Sequence, residues 1–318
     1  MITLDDLEHA AKLVYANFGP TPQIHYPLLS QLAGATVWVK HENHTPLGAF
    51  KVRGGLVYMD WLKREHAELR GVVTATRGNH GQSIAYAARA AGLSCTIFVP
   101  HGNSKEKNAA MRALGGELIE IGNDFQAALE ASIAYAEARQ LHRVPSFHPL
   151  LVAGVGTYGL ELLRAQPDLK AVYVPIGLGS GICGVISARD ALGLKTEVVG
   201  VVASGAPAYA LSFKAGVPVN TESVNTMADG VATRVPSPDA FAIIKRGASD
   251  VISVSEDEIG AAMRAYYSCA HNVAEGAGAA PLAGLLQQRA RWRGASVAAV
   301  LSGSNIDMDT YQQVLAAA

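Results

Sequence analysis

A lysine set among small and apolar residues is the first place in this chain where chemistry is to be expected. The segment Gly48-Ala49-Phe50-Lys51-Val52-Arg53-Gly54-Gly55 begins helical character, and apolar neighbours destabilise an ammonium, which suits Schiff-base formation. The same lysine could instead be a surface side chain lying over Phe50. Three loops carry the other candidates. Thr76-Arg77-Gly78-Asn79-His80-Gly81-Gln82 packs polar side chains between two glycines and could wrap a small polar ligand, where an ordinary turn and cap would use about one of them. Gly177-Leu178-Gly179-Ser180-Gly181-Ile182-Cys183-Gly184 lacks the Cβ atoms that would keep a phosphate from backbone N–H groups, although glycines also serve tight packing alone. Ser302-Gly303-Ser304-Asn305 puts hydroxyls and an amide after a very apolar run, where turn formers and caps are also common.

Residues 179–184 also spell G-x-G-x-x-G, which admits a dinucleotide oxidoreductase. That fingerprint requires an acid at the end of the next strand, and Val198 to Val202 runs into Ala203, Ser204 and Gly205 instead. A non-catalytic ligand-binding protein is the other alternative, should Lys51 be structural.

The elements that must hold these loops alternate in type. Strands are expected at Val37 to Lys40, Gly71 to Thr74, Cys95 to Val99, Leu118 to Ile121, Val172 to Ile176, Val198 to Val202, Val251 to Val254 and Val297 to Leu301. Helical periods cover Gln82 to Ala91, Lys105 to Leu114, Phe125 to Gln140, Val185 to Leu192, Glu256 to His271 and Ala279 to Arg291, with Ser104 and Ser255 placed as N-caps. The pattern predicts an α/β fold with two open, mostly parallel twisted sheets and flanking helices. Residues 1–70 and 149–318 are expected to form a large domain and 71–148 a small one. Ligands of parallel sheets gather at the carboxyl ends of strands, and the three loops lie there.

Composition narrows the partners. With 26 basic and 27 acidic residues the chain has no basic field for nucleic acid or anionic membrane, so a small molecule is the expected ligand. The apolar stretch Ala171 to Ala188 is broken by Pro175 and four glycines and does not predict a membrane span. Cys95, Cys183 and Cys269 lack metal spacing, and no disulfide or zinc is expected. The acidic start carries no targeting pattern, which predicts a cytoplasmic protein.

Taken together, the blocks resemble the fold-type II pyridoxal-phosphate enzymes, whose fold is tryptophan synthase β-like, and within them the threonine dehydratase and serine racemase branch. The family's S-F-K-x-R-G-A stands here as Ala49 to Gly55, S-x-G-N-H as Thr76 to His80, the glycine loop as Gly177 to Gly181, and S-G-G-N as Ser302 to Asn305. The resemblance implies pyridoxal 5'-phosphate as cofactor, covalently held by Lys51, with Phe50 against its ring and Asn79 at its phenolic oxygen. Its phosphate would lie on Gly177, Leu178, Gly179, Ser180 and Gly181, and the Ser302 hydroxyl would meet the ring nitrogen. Thr76, Arg77, Gly78 and His80 would bind substrate. The implied activity is a lyase: Lys51 as base at Cα, loss of the β-hydroxyl, and release of a 2-keto acid and ammonia from L-threonine, L-serine or a bulkier or acidic 3-hydroxy amino acid. A racemase of the same family is the nearest alternative, and a homodimer the expected assembly.

Three departures bear on substrate and regulation. Arg77 replaces a small residue, and the serine that relatives use for racemisation, so it is expected to bind the substrate carboxylate or a second polar group. The stretch Ala203 to Tyr209 contains no acid, so no metal is expected there, while Asp229 is left free to serve elsewhere. No regulatory domain is expected beyond Ala318. Glu275 resembles the family's glutamate near the cofactor but fits a helix-linking turn equally well, and Cys183 is expected to pack as a small apolar residue.

Overall fold

The computed structural model describes residues 2–317, so Met1 and Ala318, which the sequence-based domain boundaries include, lie outside it. In chain order, α1 (Leu4–Tyr15), β1 (Gln23–His25), α2 (Pro27–Ala33), β2 (Thr36–His41) and α3 (Lys51–Glu65) come first. Next are β3 (Gly71–Ala75), α4 (Asn79–Ala90), β4 (Ser94–Val99), α5 (Lys105–Ala113), β5 (Gly116–Glu120), α6 (Phe125–Arg139) and β6 (His142–Arg143). The chain continues through α7 (Pro149–Ala165), β7 (Ala171–Pro175), α8 (Ser180–Ala191), β8 (Glu197–Ala203), α9 (Ala208–Ala215), α10 (Pro238–Gly247) and β9 (Asp250–Val254). It closes with α11 (Glu256–Ala270), α12 (Gly276–Gln287), β10 (Ser296–Leu301) and α13 (Met308–Ala316).

Two sheets result. One has the order β1-β2-β10-β7-β8-β9 and the other β5-β4-β3-β6. Every pairing is parallel except β1 with β2. The inner strands are buried along most of their length, β3 and β7 at every residue, which is why they read as continuous apolar runs. The α/β class with two mostly parallel sheets is therefore as the sequence implied.

The differences have local causes. The edge strands β1 and β6, of three and two residues, are too short to show a period. Helix α7 is apolar almost all round and carries Gly154, Gly156 and Gly159, so neither a polar face nor helix propensity marks it. Its glycines are packing devices: a Cβ on Gly154 would come within 2.4 Å of the Arg53 carbonyl oxygen of α3. Three helices also start earlier than expected, α4 at Asn79, α8 at Ser180 and α12 at Gly276, and about half of each of the loops 76–82 and 177–184 read from sequence is the first turn of a helix. Ser104 and Ser255 cap α5 and α11 as anticipated, accepting from the N–H groups of Lys107 and Glu258. Among the described residues no helix is long and apolar enough to cross a membrane.

Candidate active site

The first turn of α3 is held from behind by buried charge. Arg53 is fully buried and donates from Nε to Glu42 Oε2 at 2.7 Å, from Nη1 to Glu161 Oε1 at 2.6 Å, and from Nη2 to both carboxylates at 3.0 Å. Thr157 and Thr21 take its remaining contacts, and the Lys40 ammonium completes the cluster on Glu161. Arg53 lies two residues past Lys51, so this cluster fixes where the lysine begins its reach.

Lys51 opens α3, and its Nζ donates to Ser180 Oγ at 3.1 Å, with the Phe50 ring centroid 4.6 Å away. Part of the side chain faces the cleft, but protein crowds the ammonium; that burial lowers its pKa to about 8 against the weaker pull of Glu275. Phe50 in turn lies edge-on to buried Tyr158.

The glycine loop, which follows β7 of the six-stranded sheet, meets Lys51 through Ser180. Ser180 opens α8 after Gly179, whose φ of 101° suits glycine, and a Cβ on Gly177 would come within 2.2 Å of the Gly230 carbonyl. Tyr209 Oη donates to the Leu178 carbonyl at 3.0 Å and Tyr158 Oη to the Gly181 carbonyl at 3.1 Å, so the loop's carbonyls are held back. The free N–H groups of a helix start and the positive end of its dipole make this an anion site.

The loop 76–82 lies on the opposite wall. Thr76 Oγ1 accepts from the N–H groups of Gly78 at 2.9 Å and Gly81 at 3.2 Å, which leaves its own hydrogen free to donate. Asn79 is clamped: its Nδ2 donates to Glu275 Oε1 at 2.7 Å and its Oδ1 accepts from Asn305 Nδ2 at 2.8 Å. His80 is buried, and burial together with the Lys51 ammonium pushes its pKa down to about 3, so the ring is neutral. Arg77 is one-third exposed and turned toward Asp229, Nε to Oδ1 3.4 Å, so it stands at the cleft wall with a protein carboxylate already beside it. Ser302 is buried, and its carbonyl accepts from the Phe50 N–H at 3.0 Å, which brings the third loop against the Lys51 segment. The three loops and the lysine are thus brought to one cleft.

Sequence reasoning missed Lys107. Its stem lies against Gly78, where a Cβ would come within 2.4 Å of it, and its Nζ is 3.3 Å from Glu275 Oε2 and 3.6 Å from Asp229 Oδ2. Burial works against this ammonium, but the two carboxylates outweigh it and its pKa is raised. A lysine in the first turn of a helix opposes the macrodipole, and that was the one signal available. Cys183, by contrast, is inert: it is fully buried and burial pushes its thiol up.

Nine buried side-chain polar atoms lack a hydrogen-bond partner among the described residues, and four of them, Arg77 Nε, His80 Nε2, Gln82 Nε2 and Glu275 Oε2, belong to this cluster. The ion-pair contacts of Arg77 and Glu275 are too poorly aligned to satisfy those atoms. Such concentration marks a surface built for a polar ligand.

Comparison with known proteins agrees. The pyridoxal-phosphate dependent enzyme family matches residues 14–303. L-threonine ammonia-lyase of Geobacter sulfurreducens is 37% identical over 296 residues, which cover 93% of this chain and 73% of that protein. Among solved structures, the processed form of threonine deaminase isoform 2 from Solanum lycopersicum aligns with a TM-score of 0.89 at 30% identity, covering 99% of this chain and 94% of that one. Maize serine racemase aligns with a TM-score of 0.92 at 26% identity, covering 98% and 96%.

The depressed pKa of Lys51 has a sign that can be measured. An ammonium whose folded pKa lies near 8 costs the folded state stability at every pH below that, and the cost fades as pH rises toward 10.5, where the unfolded lysine also loses its proton. Cofactor-free Lys51→Met should therefore be more stable than the wild type at pH 7, by on the order of 2 kcal/mol. The gap should shrink above pH 9, as followed by urea unfolding at each pH.

Proposed function

We propose that this chain, which belongs to the pyridoxal-phosphate dependent enzymes, is a dehydratase (ammonia-lyase) that converts a 3-hydroxy amino acid to a 2-keto acid and ammonia. One observation carries the reading: a lysine with its pKa lowered to about 8 stands 3.1 Å from the serine that opens a helix, opposite a clamped asparagine and a neutral histidine. The names of the ammonia-lyase and deaminase relatives support it.

The residues fit pyridoxal 5'-phosphate. Lys51 would bind it covalently, Phe50 would lie against its ring, and Asn79 would meet its phenolic oxygen. Gly177, Leu178, Gly179, Ser180 and Gly181 would receive its phosphate, where the observed cradle has no room for a Cβ at Gly177. Ser302 would face the ring nitrogen. When bound, the cofactor supplies an electron sink for charge developing at the substrate Cα.

The chain's own groups do the rest. At pH 7 roughly a tenth of a lysine with a pKa near 8 is neutral, far more than of an ordinary lysine, so Lys51 Nζ can take the Cα proton. Thr76 donates its free hydroxyl hydrogen, with the N–H groups of the loop, to the substrate carboxylate. Neutral His80 adds no charge beside Lys51. Asn305 and Glu275 fix the rotamer of Asn79, so its amide cannot turn away. Arg77, shared with Asp229 at the cleft wall, reads a polar group at the far end of the substrate. Racemisation has less support, because position 77 holds arginine where the resemblance expects a serine hydroxyl.

The reading includes a homodimer acting in the cytoplasm, with residues 71–148 as the smaller of its two domains. Leu28 and Leu32 stand one turn apart on α2, 50% and 46% exposed, an apolar pair that a second copy would cover.

Three outcomes are expected. The purified protein should show a visible absorbance band reducible by borohydride, and Lys51→Ala should lose the band and at least about a thousandfold in keto-acid release from L-threonine or L-serine. A colourless protein that takes up no cofactor would overturn the reading. Arg77→Ala should lower kcat/KM for an acidic 3-hydroxy amino acid about tenfold, and less for L-threonine; equal losses would assign Arg77 to the common carboxylate. Sedimentation should give a dimer for the wild type and a monomer for the Leu28→Glu, Leu32→Glu double variant.

A further inference from the structure

After β10 the chain runs Ser302-Gly303-Ser304-Asn305-Ile306-Asp307 into α13, and this short segment is tied to the Lys51 segment, to Asn79 and Glu275, and to the start of α5. The Ser302 carbonyl accepts from the Phe50 N–H at 3.0 Å, the Gly303 carbonyl from the Glu275 N–H at 3.1 Å, and the Ser304 N–H donates to the Gly48 carbonyl at 2.9 Å. Asn305 Nδ2 donates to the Leu47 carbonyl and to Asn79 Oδ1, both at 2.8 Å. Asp307 reaches farthest. Its carboxylate accepts from Ser104 Oγ at 2.5 Å and from the N–H groups of Lys105 and Glu106 at 3.3 Å, across the cleft at the start of α5.

The contact is reciprocal. Glu106, in the first turn of α5, accepts from the Met308 N–H of α13 at 2.8 Å. Asp307 occupies the N-cap of α13 yet makes no side-chain bond to its own helix, because its carboxylate is engaged by α5. Two helix N-termini would otherwise face each other with free N–H groups and like dipole ends; the two carboxylates between them satisfy the donors and neutralise that repulsion. The next residue of α5 is Lys107, which reaches Glu275 Oε2 at 3.3 Å, and Glu275 Oε1 receives Asn79 Nδ2 at 2.7 Å.

We infer that Asp307 is a positioning residue of the reaction: it draws the start of α5 across the cleft, so that Lys107 holds Glu275 and Glu275 holds Asn79. The inference rests on the dehydratase reading for its kinetic consequence and on geometry alone for the rest. Without the Asp307 carboxylate the start of α5 loses three contacts, Lys107 loses its fixed place over Gly78, and Asn79 keeps only its bond to Asn305.

The test compares Asp307→Ala, Asp307→Asn, Lys107→Met and the Asp307→Ala, Lys107→Met double variant in the holoenzyme, with Asp309→Asn as a control that removes a charge from α13 without touching α5. Amide hydrogen exchange at residues 105–108 should speed up about tenfold in Asp307→Ala, the size that losing a helix cap carries. The same variant should lose about tenfold in kcat with little change in KM, and Asp307→Asn, which keeps an acceptor oxygen, should recover part of both. The double variant should be no slower than Lys107→Met alone, since both changes break one chain of contacts. Independent, multiplying losses, exchange at 105–108 that does not change, or an equal loss in Asp309→Asn would each overturn the inference. Should Asp307→Ala fail to fold, the exchange and kinetics of Asp307→Asn decide in its place. If no 3-hydroxy amino acid is turned over by the wild type, the dehydratase reading fails by itself, and hydrogen exchange still decides what Asp307 does.

Discussion

The position of Lys51 depends on a group that never meets the ligand. Arg53 sits fully buried between Glu42, which follows β2, and Glu161 on α7, with Lys40 beside them, so two cations and two carboxylates are enclosed together. Taking four charges out of water is expensive, and a well-packed apolar cluster of equal volume would often be as stable. What apolar packing would not supply is direction. A guanidinium fork that donates to both carboxylates and two threonine hydroxyls has one satisfactory orientation, and it fixes the rotation of α3 about its axis. Burial lowers the pKa of Lys40, while the two cations outweigh burial at Glu161 and hold its carboxyl down. The close approach of α3 to α7 through Gly54 and Gly154 is possible only in that orientation, since a Cβ at either would strike the other helix's backbone.

With α3 fixed, the remaining pieces arrive from strand ends. β3, β7 and β10 lead into the Asn79 loop, the glycine loop and the Ser302 segment, and parallel pairing puts the carboxyl end of each strand on the same side as those of its sheet neighbours. The last of these does the joining. An isolated bridge between Ala49 and Gly303 binds it to the lysine segment, and Asn305 binds it to Asn79. A Cβ on Gly48, where φ is 66°, would press on Asn305 Oδ1 at 2.8 Å, so the turn before Lys51 and the segment after β10 fit each other only with glycine there.

How much of this was legible follows from the range of each interaction. Of the eight longer strands, the inner six are visible because burial on both faces writes a nearly continuous apolar run, while the edge strands β5 and β9 show only shorter apolar stretches. Lys51, Asn79, Gly177 to Gly181 and Ser302 are visible because loop chemistry is local and their order matches a known pattern. From sequence α8 is expected only from Val185, because Gly181 and Gly184 depress helix propensity, yet the helix needs Gly184 there, where a Cβ would come within 2.8 Å of the Gly156 nitrogen of α7. Glu161 and Asp307 are silent in the sequence, and Lys107 nearly so, for another reason. Each acts on a partner more than a hundred residues away, and nothing in the neighbouring sequence distinguishes Glu161 on α7 from a solvated acid.

Two lysines with crowded ammonium groups in one cleft show how the structure assigns roles that residue type does not. Lys51 and Lys107 are both removed from water, and burial alone would lower both. Lys107 has carboxylates at 3.3 and 3.6 Å, its pKa is raised, and it stays an ammonium that can hold Glu275 in place. Lys51 has a hydroxyl at 3.1 Å and an aromatic ring, with only the remoter influence of Glu275 against burial, so its pKa falls to about 8. Neutral His80 keeps a further positive charge away from Lys51, and with it a still deeper depression of the amine's pKa. Acidic side chains therefore set the division of labour by where they are missing: had either carboxylate beside Lys107 stood at Ser180 instead, Lys51 would be held as a cation, and the same fold would lack the amine that the proposed reaction needs.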